Sequence, residues 1–178
     1  TGQTLTLIRP WQQEGEAPAR RPLIVFLQGS AWTSPDLNYE IPQLSRYAQK
    51  DYAVATLTHR SSSQGHPFPA YLQDTKAAIR FLRANAERFG IDPERVAMFG
   101  TSSGGNTALL VGLTGDDPRY RTEEHAGFSD AVKTVIACFA PCDITAMVME
   151  QYRMMAQHPA FEGLIGKADP QDVARAMS

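Results

Sequence analysis

The sequence has little of what several protein classes require. Its 178 residues include two cysteines and four histidines, and the formal net charge is -2. There is no run of about eighteen apolar residues, the length that a transmembrane helix needs. The nearly balanced charge offers no bulk attraction to nucleic acid or to an anionic membrane surface. With 43% hydrophobic residues, the composition is that of an ordinary globular domain.

The two cysteines bear on the compartment. Cys138 is predicted to lie in a strand and Cys142 to follow its end, so a disulfide between them would need a tight chain reversal. We expect two free thiols in a reducing compartment, which favours a cytoplasmic location. The chain begins at Thr1 rather than Met, as it would after removal of an upstream segment.

Metal and nucleotide sites are not indicated either. No cysteines and histidines occur at zinc-binding spacing, and Asp116-Asp117 is predicted to form a turn rather than a cation site. The glycine-rich stretch Gly100–Gly105 lacks the Gly-Lys-Ser/Thr ending of a phosphate-binding loop. We therefore expect no metal and no nucleotide cofactor.

Strand and helix patterns alternate along the chain. Strands are predicted over Thr4–Arg9, Leu23–Leu27, Ala53–Leu57, Val96–Phe99 and Lys133–Phe139. Helices are predicted around Ile41–Ala48, over Tyr71–Phe89 and after Ser102. This order predicts an α/β fold in which a mostly parallel sheet is covered by helices on both faces. Ligands bind such sheets at the carboxyl ends of the strands.

Two further expectations concern the predicted helix Tyr71–Phe89 and the loop that precedes it. On the predicted helix Tyr71–Phe89, the charged residues lie opposite the apolar stripe, where we expect solvent. They are Lys76, Arg80, Arg83 and Glu87. The loop His59–Pro69 is rich in Ser, Gly and Pro, and we expect it to be too polar for the core and to lie beside the site.

The stretch Gly100-Thr101-Ser102-Ser103-Gly104 has the pattern Gly-x-Ser-x-Gly between a predicted buried strand and a predicted helix. That is the context of a nucleophile elbow, a sharp turn that holds its serine in a strained conformation. Ser102 would project its hydroxyl above the sheet, and the N–H of Ser103 would face a developing oxyanion. The alternative is a glycine-rich turn in which Ser102 only caps the helix.

Other polar stretches fall at the same edge of the predicted sheet. Gln28–Trp32 follows the second predicted strand, His59–Pro69 the third, and Asp143 the last. Their convergence on the end of the strand that leads to Ser102 predicts a site there.

These residues resemble the α/β-hydrolases, and within them the bacterial esterases of the carboxylesterase, acetyl-esterase and feruloyl-esterase-like group. The resemblance covers nearly the whole chain, and further stretches carry it: Pro22–Leu27, Pro67–Ala70, Asp74–Arg83 and Ile91–Val96. It implies a serine hydrolase that cleaves small-molecule carboxylic esters, with small or carbohydrate-linked acyl groups, and needs no cofactor. A non-catalytic binding protein or remnant of this fold, and a serine peptidase of this fold, are the alternatives.

The resemblance also implies site residues. Members of the group carry His-Gly-Gly, a small residue and often Trp after the first central strand, where this chain has Gln28-Gly29-Ser30-Ala31-Trp32. By this likeness the N–H groups of Gly29 and Ser30 join that of Ser103 in the oxyanion hole, and Trp32 walls the acyl pocket. His59 and His66 are expected in the substrate pocket.

The catalytic acid and base of the group follow the nucleophile, on strands near the C terminus. The sequence resembles the N-terminal two-thirds of such a hydrolase, without these strands. We therefore expect residues 1–178 to form a single incomplete α/β-hydrolase domain with its C-terminal strands missing, completed by a second chain or fragment or by a homo-oligomer. Asp143 is the best carboxylate present, and the imidazoles that remain are weak substitutes: His59, His66, His125 and His158.

Overall fold

A five-stranded sheet in the order β1-β3-β2-β4-β5 forms the frame of the molecule. The computed structural model describes residues 2–12, 15, 19–147, 163–164, 166 and 168–178. The strands are β1 (Leu5–Ile8), β2 (Arg21–Leu27), β3 (Ala53–Leu57), β4 (Ile91–Thr101) and β5 (Thr134–Cys138). β1 pairs antiparallel with β3, and all other pairs are parallel. β2 is central, in agreement with its apolar sequence on both faces.

The side chains of β2 alternate between two apolar layers, as the pleat of a strand requires. Ile24 and Phe26 pack in a cluster with Leu44 of α1 (Ile41–Ala48). Leu23, Val25 and Leu27 belong to a larger cluster. That cluster includes residues of α2 (Ala70–Ala84), α4 (Ser103–Leu113) and α5 (Pro170–Met177). Helices on both faces of a mostly parallel sheet confirm the predicted α/β fold.

The helix that was expected over Tyr71–Phe89 is two helices. α2 ends at Ala84, and α3 spans Ala86–Phe89. Between them Asn85 leaves the helical conformation, with φ -111° and ψ 21°, and its side-chain amide donates to the Phe81 carbonyl at 2.9 Å. Gly90 ends α3 with φ +64°, as a C-terminal glycine is expected to do.

The expectation that Lys76 and Arg80 face solvent is wrong. Lys76 Nζ lies 2.7 Å from Asp130 Oδ1, and Arg80 lies 2.7 Å from Asp130 Oδ2, with all three side chains fully buried. The Asp116 N–H also donates to the same carboxylate at 2.9 Å. Helical periodicity does not reveal this arrangement, because the carboxylate that makes the burial tolerable lies 50 residues beyond Arg80.

The strand that leads to Ser102 begins earlier than its apolar run indicates. Residues 92–95, which precede the predicted strand Val96–Phe99, belong to β4. The pairing with β2 shifts register there, because Arg21 lies opposite Ile91 while Leu23 lies opposite Val96. The extra residues form an irregularity in the strand rather than a break.

Breaking the buried cluster by Asp130→Asn is predicted to destabilise the fold strongly. Two buried cations would lose their shared counter-charge, which costs about 3–5 kcal/mol of the free energy of unfolding. Chemical denaturation measures this change. Asp172→Asn, which removes an exposed pair with Arg175, is the matched control and should change little. Equal effects of the two substitutions would contradict the assignment.

Candidate active site

Ser102 lies in a strained turn between the end of β4 and the start of α4. Ser102 is exposed, and its backbone has φ +51° and ψ -124°, a combination that a residue with a Cβ rarely adopts. The Ser102 N–H donates to the Cys138 carbonyl at 3.0 Å, and the Ser102 carbonyl accepts the Asn106 N–H at 3.0 Å. The strand–turn–helix context predicted for the elbow is therefore present.

The chain around this turn is too crowded for side chains. A Cβ on Gly100 would lie 2.0 Å from the Gly104 carbonyl oxygen, and a Cβ on Gly104 would lie 2.1 Å from the Leu27 carbonyl oxygen. Both distances are far below van der Waals contact. The two glycines of the Gly-x-Ser-x-Gly pattern are therefore required by the close approach of β2, β4 and α4.

The loop after β2 lies directly on the elbow. A Cβ on Gly29 would be 2.7 Å from Ser102 Cβ. The Gly29 N–H donates to Thr101 Oγ1 at 3.0 Å, and the Ser30 N–H donates to Ser103 Oγ at 2.9 Å. Both amides predicted to serve the oxyanion hole thus have protein acceptors in this structure. Their role toward an oxyanion stays a prediction, and it requires these bonds to be shared or released.

Two other amides, one at the start of α4 and one in the loop after β2, have no acceptor among the described residues. Ser103 is the first residue of α4, so its N–H has no acceptor within the helix. Within the described part of the chain the Ala31 N–H also has no acceptor, and Ala31 is exposed with φ +50°. Our sequence analysis did not single out Ala31. A left-handed conformation at alanine has no sequence signal, since alanine normally avoids it.

The same loop is held by one side-chain and one backbone hydrogen bond. Gln28 Oε1 accepts the Asp36 N–H at 2.7 Å, and the Ser30 carbonyl accepts the Thr33 N–H at 3.0 Å. Gln28 thus takes part in shaping the loop after β2.

Trp32 is buried behind this loop. The residue is 7% exposed, its φ is +57°, and its ring lies 6.3 Å from that of Tyr71. The Trp32 carbonyl accepts the Ser62 N–H at 3.1 Å, which ties the loop to residues 59–69. The role of Trp32 as a wall of the acyl pocket stays a prediction.

The expectation that the loop His59–Pro69 is too polar for the core is wrong for its first part. His59, Ser61 and Ser62 are buried. His59 Nδ1 lies 2.9 Å from the Arg60 carbonyl oxygen, and Arg60 in turn pairs with the Asp74 carboxylate at 2.9 Å. His59 and Ser61 thus have polar partners in their buried positions, whereas Ser62 Oγ is buried without a hydrogen-bond partner among the described residues.

Burial lowers the pKa of His59, and it outweighs the hydrogen bond to the Arg60 carbonyl and the nearby Asp74 carboxylate, which raise it. The imidazole is therefore neutral at neutral pH. Its ring lies 5.9 Å from that of Tyr71, whose own pKa burial raises well above the usual value. His66 is half-buried, and its backbone N–H donates to the Ser61 carbonyl at 3.3 Å. Contact of either histidine with a substrate stays a prediction.

The remaining acid and base candidates have other surroundings. Asp143 accepts the Ala146 N–H at 2.6 Å, so its carboxylate caps a helical turn. His125 is exposed, with its ring 5.4 Å from that of Phe81, and His158 lies outside the described residues. Among the residues that the structure describes, no imidazole or carboxylate hydrogen-bonds to the Ser102 hydroxyl.

Asn106 is a polar residue of this region that the sequence analysis overlooked. It is buried in α4, and its side-chain amide donates to the Pro141 carbonyl at 3.0 Å and to the Met177 carbonyl at 2.9 Å. It therefore joins the segment after β5 and the end of α5 to the helix that starts at the elbow. An Asn in a helix whose other polar side chains are only Ser103 and Thr107 is the signal that marks it.

No three or more His, Cys, Asp or Glu residues gather into a group that could hold a metal ion, within the residues that the structure describes. No helix in that same part of the chain is long and apolar enough to cross a membrane. A cavity of about 760 Å³ lies at the β1 edge, against α2 and residues 122–125, so that His125 lines it, whereas Ser102, Trp32 and His59 do not.

Gly29→Ala is predicted to destabilise the protein, because the new methyl group would press on Ser102 and on the Thr101 carbonyl. Overpacking of this kind costs about 1–3 kcal/mol of the free energy of unfolding. Gly127→Ala is the matched control, since a Cβ there meets nothing within 4 Å. Denaturant unfolding of both variants tests this, and equal stability would refute the close approach.

The buried imidazole of His59 predicts a pH dependence of stability. The unfolded chain takes up a proton near the ordinary pKa of 6.5, whereas the folded state does so only at lower pH. Stability is therefore complete above about pH 6.5 and falls as the pH drops toward the lowered value. His59→Gln should remove this part of the slope when unfolding free energies are compared from pH 8 to pH 5. Parallel curves for wild type and variant would contradict a buried neutral imidazole.

Known proteins are similar in sequence to this chain. The BD-FAE family model matches residues 10–178. Esterase LipC of Mycobacterium tuberculosis is 30% identical over 138 residues, which are 77% of this chain and 34% of LipC. The chain spans about a third of the length of the curated relatives it matches.

Solved structures show the same fold. A truncated carbohydrate esterase from gut microbiota superposes with a TM-score of 0.75 at 27% identity, covering 98% of this chain and 65% of that one. Thermogutta terrifontis esterase 2 phosphonylated by sarin superposes with a TM-score of 0.66 at 25% identity, covering 76% and 48%. The chain has the α/β-hydrolase fold and belongs to the BD-FAE family.

Proposed function

We propose that the protein is a serine hydrolase that cleaves carboxylic esters through an acyl-enzyme. The observation that carries this proposal is the exposed Ser102, held at φ +51° between β4 and the N-terminus of α4. A serine kept in this strained position has its hydroxyl at the carboxyl edge of a parallel sheet, where such folds bind ligands. The esterase names of the relatives support the same reaction class.

In the proposed reaction Ser102 Oγ attacks the carbonyl carbon of the ester while a general base accepts its proton. The carbonyl oxygen becomes an oxyanion in a tetrahedral intermediate. When this intermediate collapses, the bond to the alcohol oxygen breaks, and the alcohol leaves with the proton from the base. Water then attacks the acyl-Ser102 ester by the same steps and releases the acid.

The oxyanion needs N–H donors that are already in place. Ser103 is our first candidate, since its N–H has no acceptor in α4 and the positive end of the helix dipole adds to it. The amides of Gly29 and Ser30 are candidates if the oxyanion shares or displaces their hydroxyl acceptors. The Ala31 amide, exposed and without an acceptor among the described residues, is a further candidate.

The general base and its orienting acid are proposed to come from residues other than those that the structure describes. This proposal rests on the surroundings of Asp143 and His125, whose described contacts do not include Ser102. Residues 1–178 would then be one α/β-hydrolase domain that further sequence, a second chain or a homo-oligomer completes.

The substrates are proposed to be small-molecule esters with small or carbohydrate-linked acyl groups. The carbohydrate esterase among the structural neighbours supports this class. Trp32 would wall the acyl pocket, and His59 and His66 would line the region beside it. A cytoplasmic location is also proposed, with the free thiols of Cys138 and Cys142 as its support.

Labelling of Ser102 tests the proposed function. The full-length protein should form a covalent adduct with a fluorophosphonate, and peptide mass spectrometry should place the adduct on Ser102. Ser102→Ala should abolish both the adduct and the hydrolysis of p-nitrophenyl butyrate, a loss of about a thousandfold or more.

Ser45→Ala is the control for this experiment. Ser45 lies in α1, where its hydroxyl donates to the Ile41 carbonyl at 2.7 Å, so labelling and turnover should be unchanged. A folded, full-length protein that forms no adduct would refute the hydrolase and favour a binding protein of the same fold. A crystal structure of the adduct would show which amides contact the phosphoryl oxygen.

A further inference from the structure

Two hydroxyl groups flank the candidate nucleophile, and each accepts a backbone amide of the same loop. Thr101 Oγ1 accepts the Gly29 N–H at 3.0 Å, and Ser103 Oγ accepts the Ser30 N–H at 2.9 Å. The residues before and after Ser102 thus bind two consecutive residues of the loop after β2. No local sequence pattern predicts this pairing, because the partners are 72 and 73 residues apart.

The two bonds act where the loop is closest to the elbow. Gly29 leaves no space for a Cβ against Ser102 Cβ, where it would lie at 2.7 Å. Ser103 is buried, so water does not readily replace its hydroxyl as an acceptor. Loss of either hydroxyl would leave a backbone N–H without its partner in a crowded place, which favours movement of the loop.

We propose that Thr101 and Ser103 are positioning residues, whose hydroxyl groups hold the loop Gln28–Thr33 in register over Ser102. This inference rests on the proposed function, because the loop supplies the candidate oxyanion donors. The Ser103 side chain then has a role separate from that of its own N–H. By fixing Gly29 and Ser30, the two hydroxyls set where the next amide, that of Ala31, points relative to the nucleophile.

The chemistry of the pairing is specific to a hydroxyl at each position. An alanine at 103 would keep the N–H of that residue and lose only the acceptor. A valine at 101 would keep the shape of threonine and lose only the acceptor. Thr101→Ser would retain it. The three substitutions therefore separate the hydrogen bond from the volume of the side chain and from the backbone.

The test compares Thr101→Val, Ser103→Ala and Thr101→Ser in the full-length protein. For p-nitrophenyl butyrate, Thr101→Val and Ser103→Ala should lose about tenfold to a hundredfold in kcat, since small displacements of transition-state donors cost that much. KM should stay within about twofold, because the lost contacts act in the transition state. Thr101→Ser should restore most of the wild-type kcat.

Thr75→Val is the matched control. Thr75 is buried in α2, where its hydroxyl donates to the Tyr71 carbonyl at 2.8 Å, so its loss tests the same chemical change away from the elbow. It should leave kcat unaltered. A general loss of folding would instead lower the melting temperature and kcat together in all the valine and alanine variants, and that result would overturn a positioning role.

Amide hydrogen exchange of Gly29 and Ser30, followed by NMR, gives a readout that does not depend on activity. Exchange at Gly29 should rise by about tenfold or more in Thr101→Val, and that at Ser30 similarly in Ser103→Ala. Unchanged exchange and kcat in both folded variants would overturn the proposal, and so would faster exchange with wild-type kcat. If the wild type forms no Ser102 adduct, the hydrolase and the catalytic meaning of the hydroxyls fall together. Faster exchange in the variants would then still support the anchoring of the loop.

Discussion

The close approach of three backbone segments at Ser102 is the constraint on which the rest of this structure depends. The end of β2, the loop after it and the start of α4 come so near the elbow that Gly29, Gly100 and Gly104 have no space for a side chain. Ser102 is kept at φ +51° because its neighbours on both sides are fixed by hydrogen bonds. Strain of this kind persists only where the surrounding structure determines the backbone.

The parallel register of the sheet brings these segments together. Leu27 lies opposite Gly100 in the pairing of β2 with β4, and Thr101 lies opposite Cys138 in the pairing of β4 with β5. The strands therefore end at one level, and the loops that follow them meet there. The apolar layers on either face hold the strands in that register, since a shift by one residue would expose Ile24 and Phe26 to the wrong layer.

A second constraint lies away from the site, in the buried charges of Lys76, Arg80 and Asp130. Their contacts of 2.7 Å join α2 to the segment that precedes β5. Because the carboxylate also accepts the Asp116 N–H, its acceptor capacity is used by three groups. Such a cluster specifies one arrangement of helix and loop, since any other would leave a buried charge unpaired.

The sequence by itself determined the α/β architecture, the central place of β2 and the elbow around Ser102. Each of these depends on local patterns: apolar runs, helical periodicity, and glycines on either side of a serine between a strand and a helix. The resemblance to bacterial esterases followed from the same stretches, and the BD-FAE match agrees with it.

Only the tertiary structure decided which polar groups are buried and what they bind. Lys76 and Arg80 look like surface cations until Asp130 is placed beside them, and His59 looks like a loop residue until its burial is seen. The hydroxyl acceptors of Gly29 and Ser30 were likewise invisible. In each case the partner is distant in sequence, so no local pattern carries the interaction. Pairing energies between distant groups, rather than local propensity, decide the surroundings of the site.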